Sequence, residues 1–351
     1  MAAPVVIALD AMGGDRAPHI VVRGAELARE RFPQVEFLMF GDEKQIAPLL
    51  DKYEGLKGVT TLRHCEGVIL NEDKPSTALR GGRDSSMRHA IDAVSAGEAG
   101  AVISAGNTGA LMAIAKFVLK TLPGIDRPAI CGFFPTARGE AAMLDLGANV
   151  QCNTKNLVQF AVMGEVFART VLGLERPIIG LLNVGVEDMK GVDEVREAAA
   201  ILRTTDLPIE FKGFIEGDDI AAGTVDVVVT DGFTGNVALK TAEGIVRLYA
   251  GFLREAFQGD FISKLGYLLA KRQIEKLRER IDPRQYNGAM LLGLNGIVVK
   301  SHGGADALGF SNAIGVGVEM ALHGFTEKMT QDFASLGTVE EAQLREATGP
   351  L

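Results

Sequence analysis

The chain is predicted to fold as a three-layer α/β/α unit around a doubly wound, mostly parallel sheet. Three observations carry the prediction. Short apolar runs of strand length alternate with runs of helical period from Val5 to His323. Glycine-rich turns stand where an apolar run hands over to a helical one, most clearly at Ala105–Gly109, Asp145–Asn149 and Asp231–Asn236. Finally, 42 glycines and no tryptophan suit tight βα turns better than an all-β surface binder.

The elements follow in order. A strand over Val5–Leu9 leads through Met12-Gly13-Gly14-Asp15 into a helix entered at Pro18, where a missing N–H costs nothing. Strand Val35–Phe40, a helix from Glu43 and strand Val59–His64 come next; the stretch from Lys74 to His89 leads into a helix ending near Gly97. Val102-Ile103, the Asn107 turn and a helix to Lys120 precede two neighbouring strands, Ile130–Phe134 and Ala141–Leu146, expected to be antiparallel or crossing. Thr154–Thr170 reads as helix, Pro177–Asn183 as strand and Val192–Arg203 as helix. Strands Ile209–Phe214 and Val225–Thr230 follow, then a long helix from Val237 to Phe257 and a second from Phe261 to Ile281. Strand Gly296–Lys300 and a helix through His323 close the pattern. No linker or internal repeat is visible. Residues 1–330 read as one α/β unit with a helical excursion over 243–285, and 331–351 as a polar tail.

Composition narrows the function. A net charge of −9 argues against general nucleic-acid binding. Three widely spaced cysteines (Cys65, Cys131, Cys152) without a C-x-x-C favour neither a disulfide framework nor structural zinc, and fit a reducing cytoplasm. The N-terminal apolar run is short and closed by Asp10, so it reads as a buried strand and not as a signal peptide. The apolar stretch Ala101–Leu119 is too interrupted to span a membrane. P-loop, dinucleotide and zinc-protease signatures are missing, so no cofactor and no metal are expected.

What remains is a set of polar clusters at strand ends, where an open α/β sheet has its crevice. Unpaired N–H groups at helix starts favour anions, and several such turns suggest a phosphate-like ligand. Each has a plainer reading: Asn and Thr are good helix caps, Asp10, Asp145 and Asp231 are turn formers, and Lys190 is an ordinary surface lysine if nothing faces it. His302, beside a strand end, is a candidate site residue. Cys152 stands at a helix start that would favour a thiolate, but a small buried thiol is the simpler reading. In the second long helix, Phe261, Ile262, Leu265, Leu268, Leu269, Ile274, Leu277 and Ile281 form an apolar stripe among Lys264, Lys271, Arg272, Lys276, Arg278 and Arg280. That pattern suits an acidic partner, an anionic bilayer or a dimer contact.

The runs ALDAMGGD (Ala8–Asp15), ISAGNTGALMA (Ile103–Ala113), LDLGANVQC (Leu144–Cys152), NVGVEDMKG (Asn183–Gly191), VVTDGFTGNVALK (Val228–Lys240) and KSHGGAD (Lys300–Asp306) resemble the bacterial PlsX-type phosphate acyltransferases, in family order, from Val5 to about Phe325. The departures are small: Gln151 stands where an acid is common, and Met189 where a polar residue is more usual. The resemblance implies a fold like that of phosphotransacetylases and isocitrate dehydrogenases. It also implies transfer of a fatty acyl group from acyl carrier protein to inorganic phosphate, giving acyl phosphate for phospholipid synthesis.

By the same resemblance, Lys190, Asn236 and His302 are expected to be catalytic. Asp10, Gly13, Gly14, Asp15, Asn107, Thr108, Gly109, Asp145, Asn149, Asp231, Gly232, Thr234 and Gly235 are expected to bind substrate. The expected protein is a cytoplasmic homodimer in peripheral contact with anionic membrane and with a downstream glycerol-3-phosphate acyltransferase that uses acyl phosphate. A phosphotransacetylase acting on acyl-coenzyme A and a non-catalytic membrane scaffold are the competing readings.

Overall fold

The computed structural model describes residues 5–205, 209–280, 282 and 284–334. Its first third alternates as read: β1 (Val5–Asp10), α1 (His19–Arg31), β2 (Val35–Gly41), α2 (Glu43–Leu50), β3 (Thr60–His64), α3 (Pro75–Gly81), α4 (Ser86–Ser95), β4 (Ala101–Ser104) and α5 (Thr108–Leu119). The middle holds β5 (Ala129–Thr136), β6 (Gly139–Leu144), α6 (Thr154–Val171), β7 (Ile178–Leu182) and α7 (Asp193–Thr204). The last third holds β8 (Glu210–Ile215), α8 (Gly217–Ala222), β9 (Val227–Val229), α9 (Gly232–Gln258), α10 (Phe261–Arg280), β10 (Ala289–Leu292), β11 (Ile297–Lys300) and α11 (Ala307–Leu322). Residues 325–334 are helical as well; the remainder of the tail, 335–351, lies outside the described residues, as does Ile281.

All eleven strands join one sheet in the order β3-β2-β1-β4-β11-β10-β5-β6-β9-β7-β8. One apolar residue from each strand forms an unbroken transverse row: Leu62, Met39, Leu9, Ile103, Val299, Met290, Cys131, Leu144, Val229, Leu181 and Phe214. Side chains alternate between faces along each strand, so this row lies on one face. It meets Ile20, Phe160, Ala198 and Phe310 of α1, α6, α7 and α11. The intervening positions, among them Ala8, Val102, Val298 and Met143, pack on the other face against Met87, Leu111 and Ile220 of α4, α5 and α8. The two clusters make the two cores of a three-layer protein.

Pairing is parallel except at the centre. β10 is antiparallel to both β11 and β5, and β5 is antiparallel to β6. Consequently β6, β9, β7 and β8 run opposite to β1, β2, β3, β4 and β11, and the carboxyl ends of the two halves face opposite directions yet all stop within two residues of the same transverse row. Two departures from the sequence reading have local causes. β10 escaped notice because four wholly apolar residues show no alternation. α9 begins at Gly232 and not at Val237: the Asp231 side chain caps it by accepting from the Thr234 N–H at 2.8 Å, which outweighs two glycines in the first turn.

Candidate active site

At the carboxyl margin of β6, β9 and β7, Asp145 is a buried junction. Its carboxylate accepts from the backbone N–H of Ile130 (2.9 Å), Ala148 (3.0 Å) and Asn149 (2.6 Å), and from the Asn149 amide (2.9 Å). Burial pushes its pKa up, and these donors oppose the rise. Asn149 also donates to Pro128 O, and its own carbonyl accepts the Gly232 N–H at 2.7 Å. Gly235 lies so close that a Cβ there would stand 2.0 Å from Asp145 O. Asp145, Asn149, Gly232 and Gly235 therefore bind the β6–α6 turn to the start of α9. Asp231 caps Thr234 and accepts its hydroxyl as well, at 2.8 Å. Of the first three helical N–H groups of α9, only that of Phe233 has no acceptor among the described residues.

Around this fastened turn stand polar groups that nothing engages. Lys190, in the β7–α7 loop, is exposed, as is Asn236 one turn into α9 beside Gly147. Among the described residues, neither the Lys190 ammonium nor the Asn236 amide has a hydrogen-bond partner. The Lys190 loop is closed on itself: Asn183 donates to Lys190 O at 3.1 Å, and the Lys190 N–H donates to Glu187 O at 3.0 Å. Gly191, at φ +86°, permits this, because a Cβ there would lie 2.0 Å from Asn183 Oδ1.

Beside them a polar cleft of about 690 Å³ is lined by Arg127, Cys152, Asn156, Glu194, Asp231 and Thr234, among others. Arg127 was not singled out in the sequence; a lone arginine between two prolines carries no pattern. Cys152 is a neutral thiol here. Burial, with Asp145 nearby, pushes its pKa up to about 12, which overrides the helix start.

The carboxyl margin of β1, β4 and β11 holds the second group. Asp10 is buried and accepts the hydroxyls of Ser86 and Ser104, both at 2.6 Å. Burial raises its pKa against those bonds. The largely buried Lys300 donates to the carbonyls of Ala105 and Ser301, and burial lowers its pKa to about 8 despite Asp10 and Asp15. A lysine closing the apolar run Ile297–Val299 was the available signal for this buried ammonium.

The Met12–Asp15 turn, with Gly13 and Gly14, is tied down where the Asp15 N–H donates to Gly303 O. The Asp15 carboxylate accepts the Asn71 amide at 3.0 Å. Asn107 caps α5 through Ala110 N–H, while its amide spans the carbonyls of Leu70, Asn71 and Asp73 at 2.9–3.2 Å. The N–H groups of Thr108 and Gly109 have no acceptor among the described residues. His302 is exposed, and its Nδ1 accepts from Gly304 N–H at 3.1 Å, which leaves Nε2 carrying the proton of the neutral ring.

The structure thus divides the sequence candidates. Lys190, Asp145, Asn149, Asp231, Gly232, Thr234, Gly235 and Asn236 gather at one margin. Asp10, Gly13, Gly14, Asp15, Asn107, Thr108, Gly109 and His302 gather at the other. Three strand spacings separate Lys300 on β11 from Asp145 at the end of β6, ~14 Å across the sheet. Among the described residues no hydrogen bond joins the groups.

An α/β enzyme with free donors around a strand-end cleft is the class that this fold and margin define. Solved structures of that class superpose on the chain. A phosphotransacetylase from Streptococcus pyogenes gives a TM-score of 0.61 at 17% identity, covering 92% of this chain and 95% of the other. One from Staphylococcus aureus gives 0.59 at 16%, covering 91% and 94%. At that identity the likeness shows the fold alone.

The model of the fatty acid synthesis protein family matches residues 5–328. A phosphate acyltransferase of Rhodospirillum centenum is 63% identical over 336 residues, 96% of this chain and 95% of its own. Another, of Paramagnetospirillum magneticum, is 60% identical over 349 residues, 99% of each. The chain belongs to this family, that of the PlsX-type phosphate acyltransferases, and is an enzyme of the acyltransferase class.

Proposed function

We propose that the protein transfers a fatty acyl group from acyl carrier protein to inorganic phosphate, releasing acyl phosphate for phospholipid synthesis. One observation carries the residue assignment. Lys190 and Asn236 keep unengaged donors at adjoining strand ends, whereas Asn107, Asp145 and Asn149 are occupied in holding the backbone. A phosphate oxygen attacks the thioester carbonyl, the C–S bond breaks, and the thiol leaves. Phosphate is a competent nucleophile near neutral pH, and the leaving thiol has a pKa of about 8.5, so positioning and charge stabilisation suffice.

In this reading Lys190 and Asn236 stabilise the oxyanion, and Arg127 adds positive charge for phosphate. Asp145, Asn149, Asp231, Gly232, Thr234 and Gly235 shape the turn that aims them. The basic face of α10 receives the acidic carrier. His302 and the turns at Asp10 and Asn107 act from the carboxyl ends of the other half of the sheet as a second part of the substrate surface.

The test is phosphate-dependent acyl phosphate formation by the purified protein, from the carrier-protein donor and from acyl-coenzyme A. Lys190→Ala and Asn236→Ala should each lower kcat/KM on the order of 10²-fold without changing the melting temperature. Full activity in both would remove these assignments, and a preference for short acyl-coenzyme A would make the enzyme a phosphotransacetylase.

A further inference from the structure

The loop that carries Lys190 exposes four apolar side chains among its charged ones, Glu187, Asp188 and Lys190. Val184 is 76% exposed, Met189 88%, and Val186 and Val192 are exposed as well. Two neighbouring turns add Val150 and Phe233, both exposed and both lining the polar cleft. These segments leave β7, β6 and β9, which are adjacent in the sheet.

Such exposure is not a by-product of slackness. The loop backbone is closed by Asn183 and anchored at its rim, where Arg203 donates to Asp188 at 2.7 Å. Four apolar side chains are therefore held toward solvent by an ordered scaffold next to free polar donors. Exposed apolar side chains grouped on one ordered loop beside free polar donors mark a binding surface. A ligand that matches it has a polar, reacting head and an apolar tail.

We infer that Val184, Val186, Met189 and Val192, with Val150 and Phe233, form the track on which the acyl chain of the thioester donor lies, and that they set its length preference. The inference rests on the reading of the enzyme as a phosphate acyltransferase that uses fatty acyl donors. Lys190 and the acyl track then share one loop, so the same backbone aims the oxyanion donor and seats the chain. Each methylene moved from water onto apolar surface contributes roughly 4-fold in binding, so a chain crossing a few of these side chains gains strongly over a short one.

The test is the double variant Val186→Asn/Met189→Gln, which alters only exposed side chains. Palmitoyl and butyryl thioesters of carrier protein are compared by kcat/KM, and binding of dansyl-labelled undecanoic acid is measured separately. We expect the palmitoyl value to fall about 10-fold or more, the butyryl value to hold within about 2-fold, and the labelled fatty acid to bind more weakly. An equal loss for both donors, no loss for either, or a change in oligomeric state with unaltered chain preference would overturn the inference. Wild-type protein that forms no acyl phosphate from either donor would sink the proposed reaction instead, and the labelled fatty acid would still decide whether the track binds acyl chains.

Discussion

Lys300 shows how a side chain can be decisive without being conspicuous. Its ammonium lies largely buried against the carbonyls of Ala105 and Ser301, with a pKa lowered to about 8 by burial despite the charges of Asp10 and Asp15. Below that pH it is charged in the folded and unfolded chains alike, and the cost of burying the charge is present in full. Between pH 8 and the ordinary lysine value of 10.5, the unfolded chain binds more protons than the folded one, so this group makes stability rise with pH. Relative to Lys300→Met, the wild type should gain up to ~3 kcal/mol across that window, read from urea unfolding at several pH values. Parallel profiles would refute it. The residue types at both margins were legible in the sequence; their employment was not. Asn107 and Asn236 look equally suited to an anion, but only the fold shows that one amide is committed to three carbonyls and the other to none.

Asn107 also joins two elements. Its Oδ1 caps α5, and its amide fastens the segment 70–73 across the ends of β1 and β4. Asn107→Asp keeps the cap oxygen but faces the three carbonyls with a carboxylate. Amide hydrogen exchange should therefore quicken in residues 68–73 while α5 stays protected, whereas Asn107→Ala should also loosen the first turn of α5, a cap being worth about 1 kcal/mol. Unchanged exchange in both variants would show that the segment is held by other contacts. Most elements could be read from the alternation of short apolar runs with helical periods, since the central strands bury side chains on both faces while the outer strands β3 and β8 are partly exposed. The boundaries that failed, at β10 and the start of α9, are those where length or capping outweighs periodicity. The stripe on α10 is helical as its period predicts, yet among its described residues only Ile274 is buried; Phe261, Ile262, Leu265, Leu268 and Leu269 are exposed.

At the scale of the whole molecule that stripe demands a cover. Among the described residues no helix is long and apolar enough to cross a membrane. α9 and α10 pack on each other, with Phe257 and Tyr267 5.6 Å apart, and leave their outer apolar residues open. Leu268→Glu should weaken flotation with anionic liposomes if lipid is the cover, and should lower the native mass in solution from that of an oligomer toward that of one chain if a second copy is. No effect on either would assign the stripe no docking role. The division of the sheet into opposed halves was the feature least accessible to sequence, because strand direction depends on the pairing of β10 with β5, which is remote along the chain, whereas the β10–β11 and β5–β6 pairs are local. The strand ends expected to line one crevice belong to two halves of opposite direction, whose carboxyl ends approach the same transverse row.

The order of the sheet leaves β3 and β8 outermost, and neither is an inviting template for another strand. Arg63 and His64 stand on β3, and Glu210 and Lys212 on β8. A foreign strand adding to either rim would have to strip water from those charges, a common safeguard against fibrous stacking. Growth by sheet extension is thereby discouraged at both ends, which leaves helices and loops as the surfaces open to a second copy of the chain.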